Sequence, residues 1–321
     1  MDTKRIFVTR KLPEETLHLL RKTYTVEMWE EEETPCPREL LLEKASQASG
    51  LITMLSDKID QELIKQSPHL QVVANLAVGH DNIDVEYAKG KNITVCNTPD
   101  VLTETTADLG FSLLMATARR IVEADTYVRE DKWQNWGPFL MAGSDIHDKT
   151  LGIIGMGRIG SAVARRAKGF NMEILYHNRS QNEDLEQELG ATFISDLKTL
   201  AERSDFVMCV VPLTPDTEGL LNSEFFSHMK SDGIFVNISR GTVVDEPALV
   251  EALESGQIKA AGLDVFASEP IRADHPLVKL DNVVLLPHIG SGSIETRERM
   301  AKLTAKNVAC VLAGEEAITP L

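Results

Sequence analysis

Three ionisable residues stand at the ends of apolar runs that the sequence predicts to be strands of one sheet: Arg240, Glu269 and His288. In a parallel α/β sheet, ligands bind at the carboxyl ends of the strands. Each residue alone has a structural alternative, as a surface charge, a cap before Pro270 and a satisfied core histidine, respectively. Three groups of complementary type at three strand ends favour a reaction site instead.

The chemistry that these groups suit is hydride transfer to a 2-oxo acid. The guanidinium of Arg240 would bind a carboxylate and polarise the neighbouring ketone. A protonated His288 would donate a proton to the alkoxide that forms as hydride arrives. The carboxylate of Glu269 would favour the imidazolium and fix the ring orientation. The sequence therefore predicts Arg240, Glu269 and His288 as the catalytic set.

A glycine-rich turn supplies the second chemical signal, in Leu151-Gly-Ile-Ile-Gly-Met-Gly-Arg-Ile-Gly160. In such a turn Gly155 would permit the tight bend, Gly157 would let a pyrophosphate approach, and Gly160 would let the helix pack on the strand. A turn that serves packing only is the alternative. The β-prone residues before the turn and the helical spacing after it favour a dinucleotide site.

The end of the next strand bears on which dinucleotide binds. It reads Tyr176-His-Asn178-Arg179-Ser180, without the carboxylate that usually accepts from the ribose of NAD. Because Arg179 can pair with a 2′-phosphate, NADP(H) is favoured and NAD(H) stays possible, with Arg179 then a surface charge. Asp264 is placed either to contact the nicotinamide end of the cofactor or to stabilise its own turn. The predicted cofactor contacts are Gly155, Met156, Gly157, Arg158, Ile159, Gly160, Asn178, Arg179, Ser180, Pro212, Ile238, Ser239, Asp264 and Gly290.

The elements that must position these residues form two alternations of strand and helix. Helices are predicted from Pro13 and Pro37 in the first alternation. Its predicted strands lie at 5–9, 24–29, 50–55, 71–77 and 92–96. Those of the second lie at 151–155, 172–177, 192–194, 205–211, 233–238, 259–264 and 283–286. Such alternation predicts an α/β fold of two doubly wound parallel-sheet domains, a flavodoxin-like substrate domain and a Rossmann cofactor domain, with a cleft between them.

The domain boundaries follow from two helices. A long, largely apolar helix with Thr103 as a plausible cap begins the cofactor domain, predicted as 101–290. A last helix over roughly 293–313 has no place in the second alternation. We expect it to return to the substrate domain, which would then consist of residues 1–100 and 291–321.

Residues 122–148 lack clean periodicity and contain clustered apolar side chains, including Trp133, Trp136, Phe139 and Leu140. A loop of this length is expected to be functional or covered. A subunit contact and a flap packed on its own chain are both open interpretations.

Composition excludes several classes of partner. The 321 residues carry a net charge of −16, which disfavours nucleic acid and anionic membranes. The N-terminus lacks a signal-peptide pattern, and no run is apolar and long enough to span a bilayer. The four cysteines lie far apart without metal-site spacing, so we expect reduced thiols, no metal and a cytoplasmic location.

Taken together, the motifs resemble the D-isomer-specific 2-hydroxyacid dehydrogenases over nearly the full chain, and most closely their glyoxylate/hydroxypyruvate reductases, whose bacterial relatives include 2-ketogluconate reductases. The resembling segments are Ala77-Val-Gly-His-Asp-Asn-Ile-Asp84, Asn97-Thr-Pro-Asp-Val-Leu-Thr103, Gly155-Met-Gly-Arg-Ile-Gly160, Asn237-Ile-Ser-Arg-Gly241, Gly262-Leu-Asp-Val-Phe266, Glu269-Pro270 and Leu286-Pro-His-Ile-Gly290.

This resemblance implies functions for further residues. It implies Arg240, Glu269 and His288 as the catalytic triad, the backbone around Val78 and Gly79 as a carboxylate clamp, and Leu55 and Ser56 beside the substrate. It also implies a homodimer joined through 122–148, a hinge between the domains, and NADPH use by members with an Asn-Arg-Ser turn like 178–180.

One departure from the family pattern concerns substrate size. Some of the reductases carry a further tryptophan that reaches the partner's active site, where this chain has Leu140. A smaller side chain could admit longer substrates, so a 2-ketogluconate reductase is the alternative to a reductase of glyoxylate and hydroxypyruvate. An alternative of another class is a non-catalytic NAD(P)-sensing protein, which would not need a general acid. The lack of an appended domain after residue 313 argues against the longer phosphoglycerate dehydrogenases.

Overall fold

The computed structural model describes residues 3–321. The chain divides into two compact units. Unit 1 comprises Met1–Leu102 and Gly292–Leu321, and unit 2 comprises Thr103–Ser291. Each unit contains one fully parallel sheet with helices around it, which confirms the predicted fold class.

Unit 1 is a five-stranded sheet in the order β2-β1-β3-β4-β5. Its strands are β1 (Arg5–Val8), β2 (Thr25–Met28), β3 (Gly50–Thr53), β4 (Val72–Asn75) and β5 (Thr94–Cys96). The connecting helices are α1 (Glu14–Arg21), α2 (Arg38–Gln47), α3 (Gln61–Lys65) and α4 (Val85–Gly90). Pro13 and Pro37 directly precede α1 and α2, as predicted. Asp60 and Asp84 cap the two shorter helices by accepting from backbone amides.

The sheet of unit 1 is apolar on both faces, as a parallel sheet covered by helices requires. Phe7 and Leu51 belong to one buried cluster, whereas Ile6, Val8 and Ile52 belong to the other. Successive side chains of a strand point to opposite faces, so continuous apolar runs fill both layers.

Unit 2 contains a seven-stranded sheet in the order β12-β11-β10-β9-β6-β7-β8. Its helices are α5 (Thr103–Ala118), α6 (Ile121–Arg129), α7 (Arg158–Lys168), α8 (Glu183–Leu189), α9 (Leu197–Arg203), α10 (Ser223–His228) and α11 (Glu246–Glu254). Its strands are β6 (Thr150–Ile154), β7 (Glu173–His177), β8 (Ala191–Phe193), β9 (Phe206–Cys209), β10 (Ile234–Asn237), β11 (Ala260–Leu263) and β12 (Val283–Leu285). The strand order reverses between β6 and β9, so the glycine-rich turn after β6 lies at the switch point where such sheets bind ligands.

Two local predictions in unit 2 are wrong. Thr103 is the first residue of α5 and not its cap. Helix α6 occupies Ile121–Arg129 and overlaps the start of residues 122–148, which were expected to be irregular. None of its residues is buried: Ile121, Ala124 and Val128 have helical spacing, but Ile121 and Val128 are more than half exposed. Ion pairs such as Arg129 with Asp125, four residues apart, support it instead.

The last helix, α12 (Ile294–Ala313), belongs to unit 1. It begins after Ser293, whose Oγ accepts from the amide of Thr296 at 3.2 Å, and it packs against α1, β3 and β4. Among the helices of residues 3–321, none combines the length and apolarity needed to cross a bilayer.

Candidate active site

The three glycines of the turn after β6 have different surroundings. Gly155 has a φ of +102°, and a Cβ there would lie 2.8 Å from the amide nitrogen of Val211. A Cβ on Gly160 would overlap the carbonyl group of Gly155. A Cβ on Gly157, by contrast, would meet no atom within 4 Å. Because packing does not demand Gly157, its small size fits a phosphate approaching the N-terminus of α7, which begins at Arg158.

Asn178 fixes this turn from the end of β7. Its Oδ1 accepts from the amide of Met156 at 2.8 Å, and the Met156 side chain is buried. Ile159 packs partly buried against the same core. Arg179 and Ser180 are exposed, and neither forms a hydrogen bond or ion pair within residues 3–321. Their polar groups are therefore available to a ligand at the carboxyl end of β7.

Three further predicted cofactor contacts follow neighbouring strands and differ in burial and hydrogen bonding: Ile238, Ser239 and Pro212. The side chain of Ile238 lies in the core, so only its backbone could face a ligand. The Ser239 hydroxyl donates to the carbonyl of Val211, which joins the ends of β10 and β9. Pro212 is exposed, and its carbonyl accepts from Thr217 Oγ1 at 2.7 Å.

Asp264 is buried and anchors the turn that follows His288. Its Oδ1 accepts from the amide of Ile289 at 2.8 Å, and a Cβ on Gly290 would lie 3.3 Å from its Oδ2. Burial raises the pKa of Asp264, against the opposing effects of the Ile289 and Gly290 amides and of His288. The turn-stabilising interpretation thus has a structural basis, while the contact with a nicotinamide stays a prediction.

Glu269 and His288 form a hydrogen-bonded pair in unit 2. Nδ1 of His288 lies 2.7 Å from Oε2 of Glu269, and Oε1 accepts from the amide of Phe266 at 3.1 Å. Burial alone would raise the pKa of Glu269, but the hydrogen bonds from His288 and Phe266 and the charge of Arg240 lower it overall. Glu269 is therefore held as a carboxylate that can fix the imidazole ring.

Arg240 is brought to this pair by the backbone around it. Asn237 accepts from the amide of Ser239 and donates to the carbonyl of Arg240, each at 3.0 Å. A Cβ on Gly241 would overlap the backbone of Phe266, so only glycine lets the two loops touch here. The structure thus places Arg240, Glu269 and His288 at adjacent strand ends, with the charge of Arg240 acting on Glu269.

A supporting pair behind the Glu269 loop was not predicted from the sequence. Glu246 accepts from the amide of Ala267 at 3.0 Å, and its other oxygen lies 3.1 Å from Nε2 of His275. Because Nδ1 of His275 accepts from the amide of Leu277, Nε2 carries the proton that Glu246 accepts. Glu246 directly follows Asp245, which caps α11. Acidic residues are common in the first turn of a helix, so nothing in the sequence singled out Glu246.

The predicted substrate residues of unit 1 lie on two turns at the carboxyl edge of its sheet. Leu55 is half-buried, and the exposed Ser56 accepts from Nη2 of Arg10 at 2.9 Å. Val78 and Gly79 are half-buried, and their amides donate to no acceptor within residues 3–321. Two unpartnered amides on one turn and a serine hydroxyl on the turn after the neighbouring strand are donors that suit a carboxylate ligand.

Comparison with known proteins agrees with this architecture. Residues 111–290 match the family model described as "D-isomer specific 2-hydroxyacid dehydrogenase, NAD binding domain". The "Glyoxylate reductase" of Korarchaeum cryptofilum is 51% identical over 312 residues, which cover 97% of this chain and 93% of that relative. The chain therefore belongs to the D-isomer specific 2-hydroxyacid dehydrogenase family and is an oxidoreductase with a nicotinamide dinucleotide domain.

Solved structures of other proteins are similar to this chain over nearly its whole length. A protein of Thermus thermophilus superposes with a TM-score of 0.92 at 44% identity, covering 99% of both chains. An NADPH-dependent glyoxylate/hydroxypyruvate reductase from Sinorhizobium meliloti, solved with NADP and malonate, superposes with a TM-score of 0.85 at 35% identity. That match covers 100% of this chain and 97% of the other.

Proposed function

We propose that the protein is an NADPH-dependent reductase of glyoxylate and hydroxypyruvate that forms the corresponding D-2-hydroxy acid where the product is chiral. The pairing of Glu269 with His288 beside Arg240 carries this proposal, because it supplies a proton donor and a carboxylate-binding cation together. The name of the relative that is 51% identical, and that of the Sinorhizobium structure, support the substrate class.

In the proposed reaction, a nicotinamide dinucleotide would be held by its pyrophosphate at the turn of Gly155, Gly157 and Gly160, and it would supply a hydride to the carbonyl carbon of the substrate. His288 then donates its Nε2 proton to the carbonyl oxygen, which becomes the new hydroxyl. Glu269 holds Nδ1 and stabilises the imidazolium before this transfer. Arg240 binds the substrate carboxylate and polarises the carbonyl. Because the substrate gains one hydride and one proton, the charge of its carboxylate is unchanged.

On the substrate side, we propose that the amides of Val78 and Gly79 bind the carboxylate, and that Leu55 and Ser56 lie beside it. Unit 1 would then be the substrate domain and unit 2 the dinucleotide domain. The support is that these amides have no acceptor within residues 3–321, although a polar group without a partner is costly away from water.

The preference for NADPH is proposed from Arg179. Arg179→Ala should raise the KM for NADPH by roughly 10- to 100-fold, since it removes charge-assisted bonds to the 2′-phosphate, and should leave the KM for NADH nearly unchanged. Arg203→Ala is the matched control, because Arg203 pairs with Glu173 on the surface of the same unit. Equal effects of Arg179→Ala on both cofactors would contradict the proposed preference.

The test of the function is a steady-state panel of glyoxylate, hydroxypyruvate and 2-ketogluconate, each with NADPH and NADH. We expect the highest kcat/KM for glyoxylate or hydroxypyruvate with NADPH. His288→Asn should lower kcat by roughly 100- to 10,000-fold, as loss of a general acid does, whereas His69→Asn changes an exposed histidine and serves as control. Much faster turnover of 2-ketogluconate would overturn the substrate assignment, and wild-type enzyme that bound NADPH without reducing any of the three would favour a sensor.

We also propose a homodimer joined through residues 122–148. Trp136 and Phe139 are 76% and 85% exposed, an unusual exposure for large apolar side chains. Replacing both with serine should convert a dimer to a monomer in sedimentation velocity. Ile294→Ser is the control, because Ile294 is 77% exposed outside this segment. A wild-type protein that sediments as a monomer at micromolar concentration would contradict this assembly.

A further inference from the structure

The turn that follows β4 has four consecutive carbonyl groups engaged by fixed donors. Donors from β4, from the segment after β5 and from the turn itself all contribute. The bonds are Thr98 N to Ala77 O at 2.8 Å, Asn97 Nδ2 to Val78 O at 2.8 Å, Asn75 Nδ2 to Gly79 O at 2.9 Å, and Ile83 N to His80 O at 2.9 Å. The orientation of each of these peptide groups is therefore set by the protein.

A trans peptide group directs its N–H opposite to its C=O. Holding the carbonyls of Ala77, Val78 and Gly79 consequently fixes the directions of the amides of Val78, Gly79 and His80, each opposite the carbonyl of its own peptide group. None of these three amides donates a hydrogen bond within residues 3–321. Successive N–H groups of a turn that lack an internal acceptor are the donors from which backbone anion sites are built.

Two asparagine side chains donate the hydrogen bonds that hold the carbonyls of Val78 and Gly79. Asn75 is fully buried: its Oδ1 accepts from Thr53 Oγ1 at 3.0 Å, and its Nδ2 donates to Gly79 O and, at 3.0 Å, to Asn82 Oδ1. Asn97 is 8% exposed and reaches Val78 O from beyond β5. An apolar side chain at either position would leave a carbonyl without its donor, and the peptide group could then rotate.

The same network reaches the second turn that faces the carboxyl edge of the sheet. Nδ2 of Asn82 donates to the carbonyls of Met54 at 3.0 Å and Asp57 at 2.9 Å, which flank Leu55 and Ser56. The Ser56 hydroxyl accepts from Arg10 and donates to no acceptor within residues 3–321, so its proton is available to an anion. The two turns are thus fixed relative to each other by side-chain amides.

We infer that Asn75 and Asn97 are positioning residues for the substrate: they orient the amides of Gly79 and His80 toward the carboxylate of the 2-oxo acid. The inference rests on the proposed function, in which that carboxylate binds this turn. It adds the amide of His80 as a donor and explains how the donors are held in place without any contact between either asparagine and the substrate.

The test compares Asn97→Ser and Asn75→Ser, whose shorter side chains cannot reach the carbonyls, with wild type in the presence of NADPH. The KM for glyoxylate and the inhibition constant of oxamate, an unreactive carboxylate analogue, should both rise by at least about 10-fold, as loss of a charge-assisted bond predicts. The dissociation constant of NADPH should stay within about 2-fold of wild type, because the glycine turn is untouched. Asn282→Ser is the matched control, since its Nδ2 also donates to a carbonyl, that of Lys259 at 3.1 Å, but in unit 2.

Thermal unfolding of each variant separates positioning from loss of fold. If Asn75→Ser does not fold, Asn97→Ser carries the test alone. Folded variants with a wild-type KM for glyoxylate and wild-type oxamate inhibition would overturn the inference, as would an equal loss of NADPH affinity. Wild-type protein that does not reduce glyoxylate would refute the proposed function instead, and oxamate binding measured by calorimetry would still report on the anion site.

Discussion

His288 has a left-handed backbone, with a φ of +54°, and its Nδ1 lies 2.7 Å from Oε2 of Glu269. A non-glycine residue held in this region costs free energy, so the surrounding structure must impose it. An ionised carboxylate only accepts, so Nδ1 must carry a hydrogen in this pair. Nε2 is then the ring atom at which protonation can change, which is what a proton donor requires.

The first prediction concerns the carboxylate that holds the His288 ring. Glu269→Gln keeps the size of the side chain but removes the negative charge beside Nδ1, so kcat for glyoxylate should fall by roughly 10- to 100-fold, as loss of an orienting carboxylate does. The measurement is steady-state kcat with NADPH at pH 7. Glu224→Gln removes a surface carboxylate paired with Lys198 and should leave kcat unchanged. A Glu269→Gln variant with wild-type kcat would remove the charge argument.

The second prediction concerns stability. The pKa of Glu269 is lowered on folding, because hydrogen bonds from His288 and Phe266 and the charge of Arg240 outweigh the effect of burial. A lowered carboxyl pKa stabilises the folded state above the ordinary glutamate value of about 4.3, and this contribution is lost as pH falls through the lowered value. Wild type should therefore exceed Glu269→Gln in unfolding free energy at pH 7, by a margin that shrinks on acidification. A margin that grew toward pH 4 in denaturant titrations would contradict this sign.

The fold could be predicted because its signals are local. Apolar runs such as 151–154 and 234–237 read as buried strands, and alternation with helices implies a parallel sheet. Helix α6 was not predicted because its apolar spacing, at Ile121, Ala124 and Val128, covers only two turns and runs into a long stretch without periodicity. None of these side chains is buried, and ion pairs such as Arg129 with Asp125 support the helix at the surface.

The candidate site likewise contains residues that could be identified from the sequence and residues that could not. Arg240, Glu269 and His288 could be proposed from their places at strand ends, and their catalytic assignment stays a prediction. Gly241 and Asn97 could not, since their importance depends on contacts with residues distant in the sequence, Phe266 and Val78. A glycine after an arginine and an asparagine after a strand both read as ordinary turn residues until the opposing backbone is known.

The third prediction concerns Gly157→Ala. A Cβ there meets no atom within 4 Å, so unfolding free energy should change by less than about 1 kcal/mol. The dissociation constant of NADPH should nevertheless rise by roughly 10-fold or more, because the methyl group would occupy the space proposed for the pyrophosphate. Fluorescence titration of NADPH measures the effect. Gly90→Ala, where a Cβ also meets nothing within 4 Å, should change neither quantity. Unaltered NADPH binding by Gly157→Ala would argue against a phosphate at this position.

The fourth prediction concerns Gly241→Ala. The added Cβ would overlap the Phe266 backbone, and backbone cannot swing aside as the end of a side chain can. The loops that carry Arg240 and Glu269 must then separate, at a cost of about 1–3 kcal/mol in unfolding free energy. Because the Phe266 amide holds Oε1 of Glu269, kcat should fall as well. Denaturant unfolding and steady-state kinetics measure the two effects, and a variant with wild-type kcat would show that the close approach is not needed for turnover.

The last prediction concerns the four cysteines, all of which are free thiols. Burial raises the pKa of Cys36 to about 11 and those of Cys96 and Cys209 to about 12. Thiol reagents attack through the thiolate, whose fraction at pH 8 for a pKa of about 11 is only about one in a thousand. Cys310 is partly exposed, so iodoacetamide at pH 8 should modify this thiol first, as read by peptide mass spectrometry. Cys310→Ser should abolish this early modification. Unfolding in guanidinium should let iodoacetamide react with Cys36, Cys96 and Cys209. Rapid native modification of Cys209 would show that the β9 core opens far more often than its complete burial implies.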